Sequence, residues 1–307
     1  MPYLRPFQTG DMKTLIDTWN QSLVADPINE QRFISNIIGD PAMESQGLPV
    51  IVDDAGDVIA FGYATVSWDA VGWINSIGVR PDKQGRGYGS QCMVALLKYL
   101  IEHHCQSVNI AAFPPNYILP GVDVEKYSGS LALFKKFGFL EGTRVVSMHA
   151  DLQNFQVPVD IMEQERNLRS EGIMIESLTG EFLISLLEFI RRDLNSSAYQ
   201  VIRQALAFGR NINQIFISHQ DNHVMGYCMY GIYDGNLERF GPFGVREDQR
   251  GKHLGKILLY RCMQAMKAQG LAAVWFKSTI ESSPAWHLYR RAGFRTTRRF
   301  VTLHRTL

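Results

Sequence analysis

Two short stretches of this 307-residue chain have the makings of an anion-binding loop. Gln84-Gly-Arg-Gly-Tyr-Gly89 and Arg250-Gly-Lys-His-Leu-Gly255 each set glycines and a cation between a β-rich run and an apolar, helix-prone run. Glycines let the backbone approach a ligand with no Cβ in the way, and several N–H groups converge beside the positive end of the next helix. That geometry suits a diphosphate, with Arg86 adding a charge-assisted contact in the first loop. In the second loop His253 stands where the first has Gly87, so a side chain must be accommodated there. Neither loop has the GxxxxGK order of a Walker loop. Neither follows the first strand of a βαβ unit, as a dinucleotide fingerprint does.

The loops belong to a longer internal repeat. Asn75–Gly89 reads NSIGVRPDKQGRGYG and Gly241–Gly255 reads GPFGVREDQRGKHLG, sharing the frame GVRxDxxGxxxG at an offset of 166 residues. A second pair, LALFKKFGF at Leu131–Phe139 and WHLYRRAGF at Trp286–Phe294, follows at an offset of 155. The 11-residue difference is placed most simply in Phe113–Tyr127, a proline-containing stretch that reads as a surface loop.

The elements that position these loops repeat as well. Pro49–Asp53, Ile59–Trp68 and Gly72–Val79 read as successive strands of the first copy. Ile215–His219, Val224–Tyr233 and Leu237–Val245 are their counterparts, with a turn at Asp234-Gly-Asn236. The helix after each loop shows one apolar face, Met93, Leu96, Leu97 and Leu100 in one copy, Leu258, Cys262, Ala265 and Met266 in the other. Gly270 reads as a C-terminal cap, and Ser283-Pro284 as the cap and first residue of the next helix. The pattern predicts an α/β protein of two tandem α+β domains with mixed sheets, residues 1–152 and 173–307, joined by a charged linker helix over 153–172.

Composition narrows the function classes. Lysine and arginine total 31 against 30 acidic residues, which gives no support for a sequence-independent grip on nucleic acid. No run of apolar residues is long enough to span a bilayer and no signal-peptide core follows Met1, so a soluble protein with no membrane partner is expected. Four dispersed cysteines, with no CxxC pair, suit a reducing cytoplasm and suggest no metal site. Trp68, Trp73, Trp275 and Trp286 read as core residues, and Arg298-Arg299 as an exposed strand edge.

With its flanking elements, Gln84-x-x-Gly87-x-Gly89 resembles the Q/R-x-x-G-x-G/A acyl-CoA loop of the GCN5-related N-acetyltransferase (GNAT) superfamily, and Arg250-x-x-His253-x-Gly255 resembles it more loosely. The resemblance covers nearly the whole chain and implies two tandem acyl-CoA N-acyltransferase folds. It implies that Ile77, Val79, Gln84, Gly85, Arg86, Gly87, Tyr88, Gly89 and Ser90 hold acetyl-CoA in one copy. Phe243, Val245, Arg250, Gly251, Lys252, His253, Leu254, Gly255 and Lys256 are the corresponding set in the other.

Ala285-x-x-Leu288-Tyr289-x-x-x-Gly293-Phe294 is similar to the family's second cofactor motif, in which a tyrosine near the CoA sulfur acts as general acid. Tyr289 is the catalytic candidate on that basis. Phe134 stands at the matching place in the first copy, where it cannot donate a proton; water, Tyr127 or Tyr117 would substitute, or that copy is degenerate. Glu238 is the candidate general base, against the alternative of a solvated strand-end carboxylate. The implied activity is acetyl transfer to an amine of a small molecule. The competing readings are an acyl-CoA-binding module without turnover and a protein or peptide N-acetyltransferase.

Overall fold

The computed structural model describes every residue except 115, 116, 195, 208, 210, 211, 233 and 234, and of residues 196 and 197 the backbone alone. The expected strand end at Tyr233, the turn residue Asp234 and two positions of the Phe113–Tyr127 insertion therefore lie outside the described residues. The chain divides into two compact units, Met1–Val145 with Arg298–Leu307, and Val146–Thr297.

Along the first copy run β1 (Tyr3–Pro6), α1 (Met12–Ser22), α2 (Glu30–Phe33), β2 (Pro49–Val52), β3 (Val58–Val66), β4 (Val71–Val79), α3 (Tyr88–Glu102), β5 (Ser107–Ile110), α4 (Ser128–Lys136) and β6 (Leu140–Asp151). The second copy continues with α5 (Val159–Ser170), β7 (Met174–Ser177), α6 (Leu183–Asp193), α7 (Ser196–Ala207), β8 (Ile215–Gln220), β9 (His223–Tyr230), β10 (Phe240–Val245), α8 (Leu254–Ala268), β11 (Ala273–Ile280), α9 (Pro284–Arg291) and β12 (Arg295–Thr306).

In the first unit β1 to β4 are antiparallel neighbours in chain order, and β5 joins β4 in parallel after the α3 crossover. The next place belongs to residues 298–306 of β12, which pair antiparallel with β5 from Leu303↔Ile110 to Thr306↔Ser107. Both faces of this sheet are covered. Met93, Leu96 and Leu100 of α3 join Ala64, Ile74 and Val108 in one buried cluster. Leu15 and Trp19 of α1 join Val50, Val52 and Phe61 in another, with the Trp19 and Phe61 rings stacked at 5.2 Å. Each such fully buried side chain contributes roughly 1.5–3 kcal/mol of hydrophobic stabilisation.

The second unit repeats the plan. Strands β10-β9-β8-β7 form an antiparallel sheet, and the place beside β11 belongs to β6. On one face Leu258, Cys262 and Met266 of α8 are buried as their spacing predicts. On the other Phe189 and Ile190 of α6 pack with Ile202 of α7. Ser283 Oγ accepts the Trp286 N–H (3.2 Å) with Pro284 at the first helical position of α9, and Gly270 has a positive φ of 81° after α8. Among the described residues no helix is long and apolar enough to cross a membrane.

The compact units depart from a linear division at 153–172. The last strand of each repeat lies in the sheet built by the other repeat, where it covers an edge whose N–H and C=O groups would otherwise be unpaired. The expected linker helix is observed as α5, but it is part of the second unit's core. Ile161 and Leu168 are buried there, and Glu165 pairs with Arg261 at 2.7 Å. Trp68 is 81% exposed, against the core role its size suggests.

Candidate active site

The first glycine loop has the conformation its sequence requires. After β4 a single 3-10 turn (Pro81–Lys83) leads to Gln84, whose Nε2 donates back to the Val79 carbonyl at 3.1 Å. Gly87 then caps α3 with φ of 84°, a left-handed conformation that glycine adopts without cost and that turns the free N–H groups of the first helical turn outward. The Arg86 side chain is exposed and has no ion pair among the described residues.

The strand feeding this loop is opened by a bulge. Tyr63 pairs with Ser76 and Ala64 with Ile74, which leaves Asn75 as the extra residue of β4. Strand β5 pairs with β4 only as far as Ile74, and Ala111 N closes the ladder on the Ile74 carbonyl at 2.8 Å. From Asn75 to Val79 the edge of β4 facing β5 thus has no strand partner, and the Val79 carbonyl is taken by Gln84. This edge opens into a cleft of about 480 Å³ lined by Ile77, Gly78 and Val79, by the loop from Lys83 to Ser90 except Arg86, and by Tyr127, Ser128, Leu133 and Phe134 around the start of α4. The exposed Lys126 also lines it. An elongated groove with an open strand edge along one side and a helix N-terminus at one end fits an acyl-pantetheine arm running into a diphosphate.

The second unit keeps the loop and sets aromatic side chains beside it. His253 occupies the Gly87 position with φ of 64°, a left-handed value that histidine tolerates better than most residues, and it caps α8 in the same way. Among the described residues the one bridge to β11 is Arg239↔Trp275, just ahead of β10, so the β10 edge beyond it is open as in β4. The repeat register matches Ile74, Ile77 and Ile110 of the first unit with Phe240, Phe243 and Phe276. The Phe276 ring lies 6.3 Å from Phe240 and 4.5 Å from Tyr289, and Phe243 lies 6.2 Å from Tyr289. Four rings from β10, β11 and α9 therefore meet at the positions that match Ile74, Ile77, Ile110 and Phe134, of which Ile77 and Phe134 line the cleft of the first unit. At the bulge, Gly241-Pro242 replaces Asn75-Ser76, and proline offers no N–H to a ligand.

A family comparison agrees with the repeat. The model of the Acetyltransferase (GNAT) family matches residues 12–139 and again residues 182–294. The chain belongs to the GNAT family. Among solved structures, GNAT folds align along its whole length. The GCN5-related glucosamine N-acetyltransferase region of a fungal multi-domain GH3 β-N-acetylglucosaminidase superposes with a TM-score of 0.86 at 17% identity, over 99% of this chain and 38% of that protein. A GNAT from Sphaerobacter thermophilus gives 0.74 at 14% identity over 99% and 95% of the two chains. A tandem GNAT protein from the clavulanic acid biosynthesis pathway gives 0.68 at 15% identity over 100% and 98%. At these identities the likeness is one of fold. No curated protein sequence matches the chain.

Against the GNAT plan, the sequence-predicted residues fall into two groups. Ile77, Val79, Gln84, Gly85, Gly87, Tyr88, Gly89 and Ser90 all line one cleft. In the second set, Leu254 is buried in the core at 1% exposure, and Phe243 packs over the start of α8, 3.1 Å from where a Cβ on Gly255 would stand. Arg250, Lys252 and Lys256 contact Glu247, Gln249 and Asp160 respectively.

The Tyr289 ring is 6% exposed, and burial pushes its phenol well above the usual range. A free phenol near pKa 10 is already a weaker acid than a thiol near 8.5, so handing a proton to a thiolate is uphill by about 1.5 units before burial is counted. Glu238 lies in a turn ahead of β10, because the Asn236 side chain accepts its N–H and the Asn236 carbonyl accepts that of Arg239. Its carboxylate accepts the Ala273 N–H at 3.2 Å and its carbonyl accepts the Trp275 N–H, so it ties β10 to β11.

One element of the first GNAT site gave no sequence signal. Arg298 is no exposed edge residue. Its guanidinium donates to both oxygens of Asp26 (2.6 and 2.8 Å) and to Asp123 (2.8 Å), and Asp26 also accepts the Tyr127 hydroxyl at 2.7 Å. These partners are separated by up to 272 residues. The network fixes Tyr127 in the cleft wall, and the two carboxylates hold Arg298 in its charged form.

Proposed function

We propose that the protein is an acetyl-CoA-dependent N-acetyltransferase acting on an amine of a small molecule, and that the first unit is the one that binds the cofactor. The observation that carries this reading is the contrast between an open cleft at Ile77–Ser90 and the cluster of aromatic rings at the matched positions of the second unit. Acetyl-CoA, when bound, supplies an acyl group activated as a thioester. Gly85 and Gly87 let the backbone N–H groups of the loop face the diphosphate, and Arg86 and Lys126 bring positive charge to it. The open β4 edge from Asn75 to the Val79 N–H offers backbone groups to the amides of the pantetheine arm.

No side chain with an ionisable proton stands at Phe134. A thiolate with a conjugate acid near 8.5 leaves without a strong proton donor, so this position does not forbid turnover. The Tyr127 hydroxyl in the cleft wall already donates to Asp26 and serves to shape the wall. In the second unit, Phe240, Phe276 and Tyr289 are buried together with the half-buried Phe243 packed against them, and Tyr289 acts there as a core aromatic.

The test is free-thiol release from acetyl-CoA over a panel of primary amines, amino sugars included because the fold neighbour is a glucosamine N-acetyltransferase region. Turnover with at least one amine, abolished by Gly87→Glu and kept by Tyr289→Phe, is the expected result. Turnover lost with Tyr289→Phe and kept with Gly87→Glu would move the chemistry to the second unit. Binding of acetyl-CoA with no thiol release on any amine would favour a cofactor-binding module.

A further inference from the structure

The cleft of the first unit has a buried end, and one side chain closes it. Along α4 and the residues before it the lining passes from the exposed Lys126 and Ser128, through the half-buried Leu133, to Phe134 at 6% exposure. Phe134 belongs to the same buried cluster as Ile74, Ile110 and Ala111, the residues at which β4 and β5 part. The buried end therefore lies at that fork, with Ile77 of β4 in its lining. Leu133 stands on the way in, its Cδ2 3.5 Å from where a Cβ on Gly89 would be.

This end wall is fixed in place. The Phe134 carbonyl accepts the N–H groups of both Phe137 (3.0 Å) and Phe139 (3.1 Å), which closes the last turn of α4. The Phe139 ring, 2% exposed, meets the Phe134 ring edge to face at 5.8 Å. A packed interior yields little to an added methylene, so a chain that reaches this ring has to stop there. The wall is also apolar. The two charged residues of the lining, Lys83 and Lys126, stand ahead of the glycine loop and of α4, away from the buried end.

We propose that Phe134 is the specificity-determining residue for the acyl group, and that it restricts the donor to a short, uncharged acyl thioester of acetyl or propionyl size. This rests on the preceding reading of the cleft as the acyl-CoA site. The pantetheine arm then enters from the glycine loop and runs along the open β4 edge, so the acyl group arrives last, at the fork. An acetyl or propionyl group ends against the ring. A longer chain collides with it, and a succinyl group would bury a carboxylate among Ile77, Leu133 and Phe134 with no cation beside it.

The probes are free CoA and its acetyl, butyryl, hexanoyl and succinyl thioesters, titrated calorimetrically into the full chain. Wild type should bind acetyl-CoA at least about tenfold more tightly than hexanoyl-CoA or succinyl-CoA. Phe134→Ala should reverse the order of acetyl and hexanoyl, gaining roughly threefold to fourfold for each methylene that the new space receives, and should still reject succinyl. Phe134→Leu, which keeps most of the core volume, should shift butyryl-CoA against acetyl-CoA in the same direction. A ring with a merely structural role would weaken every thioester by one common factor in both variants. That result would overturn the proposal, and so would equal binding of acetyl-CoA and hexanoyl-CoA by wild type. The wild-type order and Phe134→Leu decide even if Phe134→Ala fails to fold. Binding of free CoA and of all thioesters alike sinks this proposal alone, whereas binding of none sinks the cofactor reading beneath it.

Discussion

The two units carry the same loop at the same place in the same fold, and they differ in what stands beside it. Three isoleucines in the first unit, Ile74, Ile77 and Ile110, correspond to Phe240, Phe243 and Phe276 in the second. Where the first has a bulge with an N–H at Ser76, the second has Pro242. On the proposed reading, the second copy keeps the loop conformation of a cofactor site and loses the site through ring volume and the missing N–H at Pro242. The loop motif reports the conformation of the turn. The residues two and five positions before its first valine report whether there is room for a ligand.

That comparison can be broken from either side, and the largest effect should come from the loop glycine. Gly87→Glu sets a carboxylate against the diphosphate and forces a side chain into φ of 84°, so acetyl-CoA affinity should fall by more than about 100-fold in isothermal titration. Lys252→Glu, the charge reversal in the second loop, should change it less than about twofold. Transplanting the filling is the sharper version. Ile77→Phe should cost at least about tenfold in acetyl-CoA affinity, with the melting temperature within a few degrees of wild type, because the ring enters a cleft and not a packed core. The reverse change, Phe243→Ile, should destabilise the second unit by about 1–2 kcal/mol in urea and create no second binding event, since Pro242 still lacks a donor.

Arg298→Met tests the wall of the first cleft. It leaves Asp26 and the 2%-exposed Asp123 without their cation, and should cost the first unit about 3 kcal/mol and raise the KM for acetyl-CoA. The smallest effect is expected from Tyr289→Phe. The packed ring survives and only its hydroxyl is lost, so kcat should stay within about threefold and its pH profile should keep its shape. A general acid at that position would cost about 100-fold or more, and its loss would remove an alkaline limb from the profile.

Much of this fold is legible in the sequence. Strands, helix faces and caps followed from period and turn chemistry, and the repeat gave the order of elements twice. In sequence, Tyr289 against Phe134 points to the second copy for the chemistry, whereas three aliphatic-to-aromatic exchanges spread over β10 and β11 favour the first for the proposed cofactor site. Those exchanges are visible once the repeats are aligned through β5 and β11, but their meaning depends on the rings meeting, which is a distance and not a spacing. The Arg298 network and the exchange of last strands had no local signal, since their partners are brought together only by sheet pairing. Glu238 stands before the strand and not at its start, because the Asn236 turn runs late and β10 begins at Phe240.

The most direct test of the account is the number of acetyl-CoA molecules bound per chain by native mass spectrometry, in wild type, Ile77→Phe and Lys252→Glu. The account predicts one in wild type, none in Ile77→Phe and one in Lys252→Glu. Two in wild type, or one that survives Ile77→Phe and is lost with Lys252→Glu, would contradict it.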